Sequence, residues 1–269
     1  MILPTAVAAV LGPAVAGLVW RAGLLTTSGA VAAAALGSAT ALAGLDWMVL
    51  LLAFFATSVV LGRVGRTRKM QRSAAVIAKA GPRDATQVLA NGAIFGLGAL
   101  FAIDGSVMEA VAAVALGGLA AAMADTWGTE IGMLSRQSPR SILTWAPMEP
   151  GMSGGVSMLG MAATVGGAIT IAGLAAALRW PVLVAVAAAV GGIAGAMADS
   201  VLGATVQQRR RSRRTGRMTE RMTEADGTPT VAAGGLTWLN NDGVNLASTL
   251  IGAGTAYKLH FLLSMIQRP

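Results

Sequence analysis

Asp125, Glu130, Asp199 and Asp242 are the carboxylates of this 269-residue sequence that fall on apolar segments or at their mouths. A charge inside a membrane-spanning stretch is costly and by default marks function. Asp125 and Glu130 close one apolar stretch, Asp199 closes another, and Asp242 opens the last. A helix C-terminus carries partial negative charge, so the first three are each disfavoured by a few tenths to about 1 kcal/mol. Their mutual repulsion adds to that cost. A hard cation offsets both, and Mg²⁺ is the natural choice, since it is held by one or two carboxylates, waters and substrate phosphates. Two other readings stay open. Asp125 and Asp199 could pair with Arg residues of the adjoining loops, and Asp242, in Asn-Asn-Asp at a helix start, could serve as an N-cap. Five residues separate Asp125 from Glu130, about 140° around an ideal helix. Both reach one ion only through a distortion, which Gly128 between them would permit.

Two of these acids are related by an internal repeat. Residues 117–126 read GGLAAAMADT and residues 191–200 read GGIAGAMADS, identical at seven of ten positions at an offset of 74. Each copy ends the second helix of a hairpin, 87–133 and 154–206, and both hairpins run in the same direction. The duplication is therefore parallel, and a shared site is expected between the copies, with Asp125 and Asp199 placed symmetrically about it.

Around the acids lie features suited to phosphate. Pro150-Gly151-Met152-Ser153-Gly154-Gly155 precedes an apolar stretch, and a Gly-rich turn feeding a helix N-terminus offers free N–H groups and a positive dipole end. Asn240, Asn241, Asp242 and Asn245 bring three amides and an acid into six residues, while Gln87 and Asn91 open another stretch on the same side. Residues 63–86 read as a basic amphipathic helix closed by Gly81-Pro82. Residues 208–230 carry RRRSRR followed by a polar run. Either basic segment is an orientation signal resting on anionic headgroups or a phosphate-binding surface.

The elements that position these residues follow from composition. The chain is 55% hydrophobic and 12% charged, with a mean hydropathy of +0.66, where a soluble domain carries about a quarter charged residues. Candidate spans of about 20 apolar residues run over roughly 2–20, 24–45, 47–62, 87–103, 107–133, 154–178, 181–206 and 237–257, with 259–266 either extending the last or lying at the interface. The fold class expected is an all-α polytopic transmembrane bundle of about eight helices. Its parts are three N-terminal helices (1–62), a cytoplasmic basic segment (63–86), the duplicated hairpins (87–206), an Arg-rich cytoplasmic loop (207–236) and a C-terminal helix with tail (237–269). The first stretch, lacking a basic n-region, reads as a retained helix and not a cleaved signal. Seventeen of the 20 Lys and Arg residues fall in the loops on one side, leaving Arg179, Lys258 and Arg268 on the other. That asymmetry puts both termini outside a cell membrane and the acids at its cytoplasmic face.

Several function classes drop out. With no Cys and a lone His260, disulfides, thiolate sites, a Cys nucleophile and His-based metal or triad chemistry are not expected. The net charge of +8 reflects topology and not nucleic acid, because aromatic residues do not interleave the basic runs. The polar intramembrane groups all open to one side, with no path across. That disfavours a channel or transporter and favours an enzyme taking a soluble anion from the cytosol and a lipid from the bilayer. Phosphoryl transfer fits, since it needs mainly a metal and positive charge.

MADTWGTEIGML, PGMSGG followed by VSMLG, MADSVLGATVQ, WLNNDGVN and QVLANG resemble, in this order, the phytyl-phosphate kinase-like family of integral membrane proteins. The resemblance runs from about residue 63 to 252. It implies phosphorylation of an isoprenyl monophosphate to its diphosphate by a nucleoside triphosphate, CTP favoured over ATP through kinship with CTP-using polyprenol kinases. It also implies a metal and catalytic group of Asp125, Glu130, Asp199 and Asp242, with Asp125, Asp199 and Asp242 on Mg²⁺. Ser153, Gly154, Gly155, Asn91 and Asn241 would then face phosphates, and Arg63, Arg66, Lys79 and Arg83 are further candidates for holding them. The loop before WLNND departs from relatives that carry Cys and His there, although Thr219-Glu220 and Gly227-Thr228-Pro229 still match. The competing functions are a prenol kinase or lipid-phosphate nucleotidyltransferase, a cation or lipid-phosphate transporter, and a structural membrane protein. The prenyl chain length, the nucleotide and the oligomeric state are left open.

Overall fold

Residues 5–79, 81–104 and 108–267 are described in the computed structural model of the chain. Arg268 and the start of the first expected span lie outside them. Nine helices occur among the described residues: α1 (Thr5–Arg21), α2 (Thr27–Ala43), α3 (Leu45–Arg63), α4 (Arg66–Ser73), α5 (Ala85–Leu100), α6 (Glu109–Gly132), α7 (Met158–Ala177), α8 (Val182–Thr205) and α9 (Asn241–Ile266). Each expected span corresponds to one helix, and α4 is the addition. The helices begin where side chains satisfy their first N–H groups. Thr26 accepts from Gly29, Ser157 from Gly160 and Asn240 from Gly243, while Asp84 and Gln87 form a reciprocal capping box on α5. Helix α9 continues unbroken through 259–266, so LHFLLSMI extends the last helix. The basic segment departs from expectation, because only its first eight residues are helical after Gly65 takes a left-handed turn.

α3, α6, α7 and α8 are long and apolar enough to cross a bilayer. α1, α2 and α5, at 17, 17 and 16 residues, are apolar but shorter, about 25 Å against a hydrocarbon core of about 30 Å. α6 is the hub. Its run from Ala112 to Ala124 is almost wholly buried, and it packs on α3, α5, α7, α8 and α9. Such burial on every side needs small residues, and α6 supplies Ala and Gly. The repeat is visible in the packing. Gly117 of α6 and Gly191 of α8, which occupy equivalent positions in the two copies, both approach the Gly252 carbonyl of α9 so closely that a Cβ on either would lie within 3 Å of it. Opposite the acids, Trp47 stacks in tilted fashion on Phe95 and Trp180, and the Trp180 Nε1–H donates to Asp46 at 2.7 Å.

Two small sheets lie in the connections at the acid-bearing end. β1 (Arg140–Ser141) pairs antiparallel with β2 (Gly155–Val156), and β3 (Arg209–Arg211) is flanked by β4 (Met218–Thr219) and β5 (Val231–Gly234). The Arg-rich run therefore begins as a strand, and Arg209, Arg210 and Arg214 are engaged within the protein. Arg209 donates to the carbonyls of Gly203 and Ala204 at the end of α8, and Arg210 bonds Thr230. Arg217 pairs with Glu149 and Arg214 with Glu224. Basic side chains at a helix C-terminus satisfy its last carbonyls.

Candidate functional site

A cavity of about 1490 Å³ opens among the ends of these helices, and every residue expected at the site lines it. Asp125, Glu130, Asp199 and Asp242 are there, as are Asn91, Asn241, Ser153, Gly154, Gly155, Arg63, Arg66, Lys79 and Arg83. Sharing a cavity is not sharing a role, and the bonding separates them.

Asp125 and Asp199 come from the repeat-related helices α6 and α8, which pack directly together. Both are half-buried, and the charge of Asp125 reaches Asp199. Among the described residues neither forms an ion pair, so pairing with loop Arg residues does not occur there. The Asp199 Oδ2 is buried with no hydrogen-bond partner. A buried carboxylate oxygen without a donor costs about 1–3 kcal/mol or more, and a second carboxylate nearby adds repulsion. An orphaned acidic pair of this kind suits a divalent cation completed by water and phosphate oxygens. Thr126 and Ser200, which follow the two acids, line the cavity too.

Asp242 stands apart. Asn240, not Asp242, caps α9. Asp242 lies in the first turn, 4% exposed, and accepts from Lys79 Nζ at 2.5 Å. Lys79 also bonds Asp84 at 2.7 Å. Burial pulls the Lys79 ammonium down, but the hydrogen bonds to Asp242 and Asp84 more than offset this and leave it raised. Among the described residues no group of three or more Asp, Glu, His or Cys side chains converges in a way that could hold a metal. The expected Asp125–Asp199–Asp242 set is thereby corrected to an acidic pair, with Asp242 neutralised by Lys79.

Glu130 is bound elsewhere. Its Oε2 accepts from Lys69 Nζ at 2.6 Å, and Lys69, 5% exposed, also donates to the Leu61 carbonyl at 2.7 Å. Arg72 donates to the carbonyls of Met133 and Ser135 beyond α6. Basic residues of α4 thus tie the ends of α3 and α6 together. Helix α6 continues through Gly128 without distortion. What Gly128 provides is closeness to α7, since a Cβ there would stand 2.3 Å from Thr164 Oγ1.

The Gly-rich turn is present, but it does not feed a helix directly. β2 and the Ser157 cap intervene before α7. Gly151 and Gly154 both take left-handed φ values, 91° and 83°, and a Cβ on Gly154 would press within 2.7 Å of the Ala204 backbone. The Ser153 N–H donates to Glu220 Oε1 at 2.9 Å. Of the other polar groups, Asn91 Nδ2 donates to the Gln87 carbonyl of its own helix, and Arg63, Arg66 and Asn241 are exposed.

Glu220 and Lys69 are the residues that sequence reasoning missed. Glu220 reaches the cavity because 219–221 is strapped to the chain after α4. Glu220 N–H donates to Val76 O, Thr219 Oγ1 to Ala75 O, and Arg221 to Ala74 O. The Thr219-Glu220 match noted above was the available signal. Burial pushes the Glu220 carboxyl up, against the opposing bonds from Ser153 and Gln207. A carboxyl raised on folding contributes stability that is fully present below its unfolded value, 4.5, and is lost as pH rises through the folded value. Thermal unfolding temperature should accordingly rise as pH is lowered from 7 towards 4.5, and Glu220→Gln should flatten that slope. An unchanged slope in the variant would mean that Glu220 is not the titrating group.

Similarity to known proteins covers the site. A family model described as integral membrane protein DUF92 matches residues 10–253. Over 151 residues the sequence is 33% identical to an uncharacterized membrane protein, MJ0933, of Methanocaldococcus jannaschii, covering 56% of this chain and 61% of that one. Over 143 residues it is 34% identical to protein PGR of Arabidopsis thaliana, covering 48% of this chain and 49% of that one. The chain thus spans about half to three-fifths of the length of these relatives. No solved structure matches it.

Proposed function

Because the chain belongs to the DUF92 family of integral membrane proteins, with both repeat-related acids inside the matched span, we propose that it is a membrane kinase of the phytyl-phosphate kinase-like type. It transfers a phosphoryl group from a nucleoside triphosphate, CTP or ATP, to an isoprenyl monophosphate. The observation that carries this reading is the Asp125–Asp199 pair, an acidic couple with no cationic partner among the described residues, in a cavity lined by both basic and apolar side chains. Long apolar helices supply the bilayer setting, and the loop asymmetry supports a cavity mouth at the cytoplasmic face of the cell membrane.

In this reading Asp125 and Asp199 hold Mg²⁺, which supplies charge neutralisation across the transferred and leaving phosphates. The acceptor oxygen is already ionised, so no general base is needed. That oxygen forms the new P–O bond to the terminal phosphorus as the bond to the nucleoside diphosphate breaks, and the diphosphate leaves with the electron pair. Positive charge near the mouth comes from Arg63, Arg66 and Arg83, with Lys79 available where Asp242 does not claim it. The Ser153 N–H, beside the left-handed Gly154, is an anion donor. It donates to Glu220 Oε1, and a substrate phosphate could compete with that carboxylate for it.

Purified protein given CTP or ATP, Mg²⁺ and phytyl or geranylgeranyl phosphate should release nucleoside diphosphate only when the lipid is present. Release of pyrophosphate with a nucleotide left on the lipid would move the assignment to nucleotidyl transfer. Nucleotide-independent flux of lipid phosphate or cation across sealed vesicles would move it to transport.

A further inference from the structure

Glu220 sits among donors that suit a larger anion than its own carboxylate. That carboxylate accepts the Ser153 N–H at 2.9 Å. The Ser153 hydroxyl and the Gln207 amide also bond to it, and the Arg209 guanidinium acts on it through charge. Gln207 is 2% exposed, and its Oε1, like Arg209 Nε, is buried with no hydrogen-bond partner. Three connections build this cradle: the turn before α7, the link from α8 into β3, and the chain after β4. They are packed tightly enough to hold it preformed. A Cβ on Gly203 would lie 2.8 Å from Ser153 Cβ, and one on Gly235 would run into the Gln207 carbonyl. Glu220 and Ser153 line the same cavity as Asp125 and Asp199, and the charge of Glu220 reaches Asp199.

We propose that this cradle is the seat of a phosphate group of the soluble reactant, and that the Glu220 carboxylate is a built-in occupant that must turn out before the phosphate enters. The inference rests on the phosphate-binding part of the function proposed above and not on its reaction. The bonding already shows that the cradle takes an anion, because a carboxylate fills it. A phosphate is the stronger claimant, since it brings more charge and more acceptor oxygens to the same donors. It also arrives with a divalent cation, which Asp199 attracts, whereas Asp199 repels the Glu220 carboxylate. Departure of that carboxylate needs little backbone motion. Glu220 N–H donates to Val76 O at 2.9 Å, Thr219 Oγ1 to Ala75 O at 2.8 Å, and Arg221 to Ala74 O at 3.0 Å. The main chain therefore stays strapped while the side chain moves between staggered rotamers. The elements point to the source of the phosphate. Ser153, Gln207 and Glu220 all lie in connections outside the helices, where a water-soluble nucleotide reaches them, while a lipid phosphate hangs from a tail held among the helices.

The test is calorimetric binding of magnesium pyrophosphate, magnesium CTP and geranylgeranyl phosphate, each alone, to the purified full chain in detergent. An occupant present about nine-tenths of the time weakens apparent binding about tenfold. Glu220→Ala should therefore bind pyrophosphate and CTP at least roughly tenfold more tightly than wild type, with geranylgeranyl phosphate unchanged. Glu220→Gln, whose neutral amide still fits the cradle, should show a smaller gain, and it carries the test should Glu220→Ala fail to fold. Adding Gln207→Met to Glu220→Ala removes a donor and should take most of the gain back. Equal or weaker pyrophosphate binding by the folded Glu220 variants overturns the proposal. A gain confined to geranylgeranyl phosphate, or one that survives the loss of Gln207, overturns it too. A gain for pyrophosphate with no binding of CTP, or with no turnover once lipid is supplied, would sink the kinase reading and leave the cradle standing.

Discussion

Asp125→Asn and Asp199→Asn should each reduce turnover at least roughly a hundredfold, the scale of removing one charged group from a preorganised site, while leaving the fold as stable as before or more so. The second half of that expectation carries the discrimination. In an ordinary membrane protein, removing a half-buried charge strands its partner and destabilises the fold. Here neither acid has a cationic partner among the described residues, each is within reach of the other's charge, and the Asp199 Oδ2 is orphaned. Neutralising one relieves repulsion. Thermal unfolding in detergent beside a turnover assay reads both effects. Loss of activity with a lowered unfolding temperature in both variants would make the pair structural.

The second large effect concerns Glu130. Glu130→Gln leaves Lys69, 5% exposed, with only the Leu61 carbonyl, and should destabilise the protein by roughly 3–5 kcal/mol, the usual cost of breaking a buried pair from one side. Replacing the pair together, Lys69→Met with Glu130→Gln, removes the stranded charge and should restore most of the stability, since exchanging a buried ion pair for neutral groups is often nearly neutral. If Glu130 is a strut between α6 and α4, turnover returns with stability. A double variant that is stable and inactive would put Glu130 back among the reacting groups, where its place in MADTWGTE suggested it belonged.

The contrast between Glu130 and its neighbours shows what a sequence of this kind makes legible. Apolar length located every helix but α4, because the bilayer constrains length and polarity together. The repeat GGLAAAMADT/GGIAGAMADS put Asp125 and Asp199 in one place, because identical helices pack in equivalent ways about α9. What stayed hidden was partner choice. Asp125, Glu130 and Asp242 are all acids near one mouth, and nothing local says that Lys69 and Lys79 come from a short basic segment to claim two of them. The Arg-rich run was hidden for a related reason. Its charges cap α8 and bond Thr230 just before β5, and such long-range pairings leave no periodic trace. Helix α4 was overestimated because basic amphipathic spacing continued past Ser73, while the backbone turned to receive the 219–221 strap. The first two helices, which fell outside the initial family resemblance, lie within the matched span from residue 10 apart from the start of α1, and both line the cavity.

The central claim is the proposed phosphoryl transfer to a lipid phosphate at the Asp125–Asp199 pair, which has no cationic partner among the described residues. It is tested most directly by the mass of the lipid recovered after incubating purified protein, Mg²⁺, a nucleoside triphosphate and a four-unit prenyl monophosphate, with Asp199→Asn run alongside. A gain of one phosphate on the lipid with wild-type protein, absent with the variant, is the expected result. An unchanged lipid mass with folded wild-type protein across CTP, ATP, GTP and UTP, or a diphosphate product that persists in Asp199→Asn, would contradict it.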